Sequence, residues 1–195
     1  MREIFTFSNV TNSTINIRTA TPRDAEQIAF VHIDSWRTTY RSIVSDNFLD
    51  NLNGQTKSNF WESVLTTKSD NVFVAESDGE IIGFAAGGQS RDKNNFDSEL
   101  YAIYVLQQHQ HKNIGRLLLT ATAKYLQTSG HSSLYVWVLA DNNSRTFYER
   151  LGGELFDSKE IEIGGQQMTE IAYGWSELSK LIESVDGQTK KKPSH

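Results

Sequence analysis

Residues 99–128 read ELYAIYVLQQHQHKNIGRLLLTATAKYLQT, a strand-like run, a polar loop and a helix-like run in succession. Glu99 to Leu106 is apolar at nearly every position, as a strand buried on both faces must be. From about Asn113 to Thr128 the apolar residues Ile114, Leu117, Leu118, Ala121 and Tyr125 fall on one helical face. A helix that opens just after a buried strand offers up to four unpaired N–H groups and a partial positive charge, which suits a phosphate or pyrophosphate. An ordinary strand–helix connection with a polar loop fits equally well on physical grounds alone.

Working outward, Ile15 to Arg18 alternates with period two and reads as a short strand. Thr21-Pro22 reads as an N-cap with proline at the first helical position, followed by Ala25, Ile28, Ala29, Ile33 and Trp36 on one helical face. A second helical region covers about Asp46 to Leu65 and breaks near Asn53-Gly54. Residues 71–76 and 80–85 flank Ser77-Asp78-Gly79 as a hairpin. Beyond the central stretch come a strand over His131 to Leu139 and a short helix over Asn142 to Leu151, ended by Gly152-Gly153. Two strands, about 154–163 and 167–173, are joined through Gly164-Gly165. This order predicts a mixed sheet with helices packed on it, α/β or α+β in class.

The 195 residues suit a single domain, expected over 15–182, with a loose leader at 1–14 and a polar tail at 183–195. A formal charge of -5 argues against a nucleic-acid partner. No apolar run reaches the roughly 20 residues of a membrane span, so no membrane partner is expected. Cysteine is absent, which removes disulfides, thiolate nucleophiles and iron–sulfur clusters. His109 and His111 lie two apart in a loop without a neighbouring carboxylate, so no metal is expected. These features predict a cytoplasmic chain.

Two familiar phosphate loops are absent. No pair of glycines stands as G-x-G, and Gly83 and Gly88, which have the Walker spacing, are followed by Gln89-Ser90 instead of Lys-Ser/Thr. The chain instead resembles the GNAT superfamily of acetyl-CoA-dependent N-acetyltransferases. That family's pyrophosphate loop reads Q/R-x-x-G-x-G/A after a strand ending near V-x-P. Here Val105-Leu106-Gln107 precedes Gln110-His111-Lys112-Asn113-Ile114-Gly115, with Gln107 in the usual proline place and Asn113 in that of the first glycine. Asparagine tolerates left-handed backbone angles better than other non-glycine residues. The segment Asp141-Asn142-Asn143-Ser144-Arg145-Thr146-Phe147-Tyr148-Glu149-Arg150-Leu151-Gly152-Gly153 is similar to the family's N-x-x-A-x-x-F-Y-x-x-x-G-F, with Ser144 in the alanine place, Gly153 in that of the last aromatic and the asparagine offset by one.

The resemblance implies a GNAT fold, a mostly antiparallel sheet of six or seven strands splayed after the fourth strand, with helices on both faces. The two central strands would part after Val105. It implies acetyl-CoA as acetyl-donor cosubstrate and direct attack by a primary amine in a ternary complex. Ile103, Tyr104 and Val105 would pair with the pantetheine arm. Gln110, His111, Lys112, Asn113, Ile114, Gly115 and Arg116 would hold the pyrophosphate. Asn142, or Asp141 beside it, would take the family's binding-asparagine place. Tyr148 would serve as acid toward the leaving thiolate, and Glu99 as base; strand capping and core packing are the bland alternatives for these two. By alternation Glu99 shares a face with Tyr101, Ile103 and Val105, and apolar neighbours would raise its pKa. Trp36, Arg37 and Tyr40 would line the acceptor entrance, with core packing an equal reading for Trp36, while Trp137 reads as core.

The acceptor, a small-molecule or peptide amine, carries no motif and would lie against residues 30–65 and 87–97. A homodimer is one open assembly. Two rivals stand beside this reading: a degenerate GNAT fold that binds CoA or a partner without chemistry, and an unrelated α/β ligand-binding domain.

Overall fold

The computed structural model describes residues 14–68 and 70–189. Its elements are β1 (Asn16–Thr19), α1 (Ala25–Thr39), α2 (Asp46–Asp50), α3 (Gly54–Thr67), β2 (Asn71–Ser77), β3 (Glu80–Gln89) and β4 (Ser98–Val105), then α4 (Ile114–Thr128), β5 (Leu134–Leu139), α5 (Arg145–Arg150), β6 (Glu154–Ile163), β7 (Gln166–Trp175) and α6 (Leu178–Thr189). Among the described residues seven strands form one sheet in the order β1-β2-β3-β4-β5-β7-β6. Only the β4–β5 pair is parallel. Helices α4 and α6 bury Leu118, Leu126 and Leu181 on one face. On the other face α1 and α3 bury Ile28, Trp61 and Phe84.

Three local expectations change. Strand β5 starts at Leu134, because Ser132 and Ser133 wrap the Asp97 carboxylate with both backbone N–H groups and both hydroxyls, at 2.7–3.0 Å. Burial pushes that carboxyl up, but these hydrogen bonds outweigh it and hold it down to about 2. The buried face of α4 is Ile114, Leu118, Leu119, Thr122, Ala123 and Leu126, leaving Leu117 and Tyr125 outward. The helix turns that way because Thr122, its hydroxyl bonded to the Leu118 carbonyl, presses its methyl onto Gly87, where a Cβ would meet it at 2.9 Å. Residues 183–189, expected as tail, continue α6, whose Leu178, Leu181 and Val185 are core residues. Residues 1–13 of the expected leader and 190–195 of the tail lie outside the described residues.

Chain entry into α1 is fixed electrostatically. The Asp24 carboxylate accepts from Arg18 Nη1 and Nη2 at 2.8 and 2.9 Å, and from the Thr21 N–H at 2.7 Å. The Arg18 hydrogen bonds, chiefly, hold Asp24 down to about 2. A buried carboxyl depressed from 3.8 to about 2 contributes on the order of 2 kcal/mol, fully present above about pH 4 and lost as pH falls toward 2. Asp24→Asn should therefore lower the unfolding free energy by about 2 kcal/mol at pH 7. Denaturant titration should show the difference vanishing near pH 2.

Candidate active site

Strands β4 and β5 pair only at Ser98↔Leu134 and Glu99↔Tyr135. Beyond Glu99 they part, six residues earlier than Val105, and β5 keeps pairing with β7 through Leu139. Among the described residues the edge of β4 from Tyr101 to Val105 thus has no neighbouring strand on the β5 side. Unpaired strand edges present backbone donors and acceptors in a row.

This open edge leads into the loop before α4. There His111 and Asn113 both adopt left-handed angles, φ 61° and 63°. Asparagine therefore does at 113 what glycine would do. The first intrahelical bond of α4 runs from Leu117 N to Asn113 O, so the N–H groups of Ile114, Gly115 and Arg116 have no intrahelical partner. Gln110 Nε2 donates to the Val105 carbonyl at 3.1 Å and ties the loop to the strand end. Lys112 turns back to the Gln108 carbonyl, while Arg116 Nη2 is buried without a partner among the described residues. Free N–H groups, an unpartnered guanidinium nitrogen and an open strand edge together fit a long ligand with an anionic portion. Among the described residues no group of three or more His, Asp or Glu is placed to hold a metal.

Three phenols converge near the fork. Tyr148 on α5 is buried beside Tyr173 and Trp175. Burial, then the neighbouring Tyr40, pushes its hydroxyl well above the usual phenol value. Tyr104 accepts from Trp36 Nε1 at 2.9 Å and shares a hydrogen bond with Tyr40. Tyr40 in turn accepts from Asn142 Nδ2 at 3.0 Å. The Asn142 carbonyl oxygen accepts from Ser144 N, so this side chain is spent inside the protein, on Tyr40 and on the entry to α5.

Glu99 lies on a different face from the one alternation assigns. The β3–β4 register slips between Ala86↔Ala102 and Gly87↔Leu100, leaving Tyr101 as an extra residue on β4. After this bulge Ile103 and Val105 pack toward α4, whereas Glu99 joins Tyr104 in a cleft of about 480 Å³. Its surroundings are polar. Arg91 grips the carboxylate through Nε at 2.9 Å and Nη2 at 2.5 Å, and the Tyr135 hydroxyl donates at 2.8 Å. Burial, and after it the bond to Glu99, pushes the Tyr135 phenol up to about 12.

Trp36 and Tyr40 line the cleft, whereas Arg37 lies outside it: its guanidinium donates to the carbonyls of Leu49 and Leu52 and secures α2. Trp137, expected in the core, lines the cleft and donates Nε1 to Asp92 at 2.7 Å. Sequence reading missed Arg91, Lys159 and Glu170, which also face it. Arg91 falls in the polar segment 87–97, expected on the acceptor side, whereas Lys159 and Glu170 lie on β6 and β7, outside it.

A family model described as the acetyltransferase (GNAT) family matches residues 32–153. The uncharacterized N-acetyltransferase YuaI of Bacillus subtilis is 38% identical over 169 residues, covering 86% of this chain and 96% of that protein. The spermidine N(1)-acetyltransferase of Thermoplasma acidophilum is 26% identical over 150 residues, covering 74% of this chain and 91% of that protein. Among solved structures, the PaiA N-acetyltransferase of Thermoplasma acidophilum in complex with coenzyme A superposes with a TM-score of 0.63 at 23% identity, covering 80% of this chain and 98% of that one. The structure of yncA from Salmonella typhimurium with its cofactor acetyl-CoA gives 0.63 at 18% identity, covering 85% of this chain and 95% of that one. With the splayed sheet and the matched model, the chain belongs to the acetyltransferase (GNAT) family.

Proposed function

We propose that this protein transfers an acetyl group from acetyl-CoA to a primary amine by direct attack. The observation that carries this reading is the open β4 edge running into the unpaired N–H groups of α4 through a left-handed Asn113. Backbone groups of Ile103 to Val105 would hold the pantetheine arm. The N–H groups of Ile114, Gly115 and Arg116, with the Arg116 guanidinium, would hold the pyrophosphate. Asn142 acts indirectly, by fixing Tyr40 and the start of α5.

Acetyl-CoA supplies an activated acyl group as its thioester. An alkylammonium with a pKa of about 10.4 must first lose a proton, and Glu99, one of three carboxylates that line the cleft, would accept it. The nitrogen loses a second proton on becoming an amide, and the departing sulfur must gain one. The Tyr148 hydroxyl stands between these needs. An ordinary thiol value near 8.5 lies below its own, so donation to a thiolate alone runs uphill. Tyr148 therefore acts as a hydrogen-bond donor to sulfur and a relay, replenished by the acetylated nitrogen. One proton leaves through Glu99 and the other ends on the CoA thiol.

The test is amine-dependent CoA release, read with a thiol reagent across a panel of primary amines. The chain has no cysteine of its own to react. Release that requires both substrates supports the reading; acetyl-CoA binding without turnover on any amine contradicts it. Within the loop, Asn113→Val should raise KM for acetyl-CoA about tenfold, because a β-branched residue at φ 63° costs about 1–2 kcal/mol. Asn113→Gly should leave KM within about twofold.

A further inference from the structure

Two cations of the protein itself already occupy positions in the cleft beside Glu99. Arg91, whose side chain is 62% exposed, reaches in from the β3–β4 loop to Glu99, which is 3% exposed, and lies 4.2 Å over the Tyr101 ring. Lys159, on β6, places its ammonium 3.8 Å from the Trp137 ring centroid, 3.8 Å from Glu170 and 3.9 Å from Asp92. In both places the aromatic face is part of the sheet, and Glu99 and Glu170 are built into strands. The cations arrive on long side chains from the rim. Glu170 remains pushed up by burial, with Lys159 offsetting only part of it. Both seats combine an indole or phenol face with a carboxylate, the pairing that holds an organic cation.

We propose that the acceptor is a diamine or polyamine whose two cationic groups take over these two seats. One nitrogen displaces Arg91 from Glu99 and Tyr101, gives its proton to Glu99 and is acetylated. The second displaces Lys159 from Trp137, Asp92 and Glu170, and keeps its charge throughout. The loop that carries Arg91 is anchored at its far end by Phe96, whose ring lies on the Gly174 backbone where no Cβ fits. Arg91 can therefore swing into solvent without the loop leaving its place. This inference rests on the amine-acetylating reading and narrows it to a substrate class.

Calorimetric titration of 1,4-diaminobutane, spermidine and n-butylamine into the full-length protein, with and without saturating CoA, reads these seats without chemistry. The two polyvalent amines should bind at least tenfold more tightly than n-butylamine. Glu170→Gln should weaken spermidine at least fivefold and leave n-butylamine unchanged. Lys159→Met removes the internal competitor and should tighten spermidine severalfold. Equal affinity for all three amines, no binding of any, or weaker spermidine binding in Lys159→Met would overturn the inference. So would preference for a carboxylate-bearing acceptor such as glutamate, for which Arg91 and Lys159 would be ligands rather than stand-ins. Amine-dependent CoA release on other amines would survive each of these results, so a failure here is distinct from a failure of the acetyltransferase reading.

Discussion

Tyr148→Phe should lower kcat by about 10²–10³-fold while KM for acetyl-CoA stays within about twofold. The hydroxyl is the one atom removed, and the ring's packing against Tyr173 and Trp175 stays in place. No hydrogen bond to that hydroxyl comes from the described residues, so the substitution should cost less than about 1 kcal/mol of stability. A purely structural tyrosine would show the reverse: unchanged kcat, with any loss confined to the thermal midpoint. Single-turnover measurements separate the chemical step from CoA release. A kcat within threefold of the parent would remove Tyr148 from the acid role.

Glu99→Gln should act through pH. Without a carboxylate to take the proton, the enzyme must wait for free amine, which is about one part in 2,500 at pH 7 for a pKa near 10.4. Its kcat/KM should then rise about tenfold per pH unit from 7 toward 10, where the parent profile is nearly flat. The loss should be about 10²–10³-fold at pH 7 and should nearly vanish by pH 10. Amide and carboxylate are nearly isosteric, and the Tyr135 hydroxyl can still donate to the amide oxygen, so the fold should persist. A parallel pH profile in the variant would mean that water or another group takes the proton.

How far these roles were legible in the sequence follows from the physics of each feature. Local periodicity identifies β4, α4 and the loop between them, because burial on both faces and a helical apolar stripe leave distinct spacings. The left-handed Asn113 was legible from the tolerance of its side chain for positive φ. The bulge at Tyr101 was not. In a run such as ELYAIYVL both faces are apolar, so inserting one residue changes no visible pattern while it moves Glu99 to the other face. Helix α4 misled through Thr122, which buries a polar residue by bonding its hydroxyl to the preceding turn. The cleft was hidden for a different reason. Arg91, Trp137, Lys159 and Glu170 come from a loop and three strands, and only the pairing Lys159↔Glu170 across β6 and β7 brings the last two together. No window of sequence contains that contact. Helix α6 was legible in principle, since Leu178, Leu181, Ile182 and Val185 stand at helical spacing, but the lysine-rich end drew the reading toward a tail.

The relation between fold and chemistry turns on one event, the parting of β4 and β5 after Glu99. It leaves a strand edge open for an extended ligand on one side and a polar cleft on the other, with Tyr40, Tyr104 and Tyr148 gathered near the fork. The most direct test is calorimetric titration of the protein with acetyl-CoA, with CoA, ATP and NAD run in parallel. Micromolar binding of acetyl-CoA and CoA, with none of ATP or NAD, is the predicted result. Absence of heat with both acetyl-CoA and CoA would contradict it.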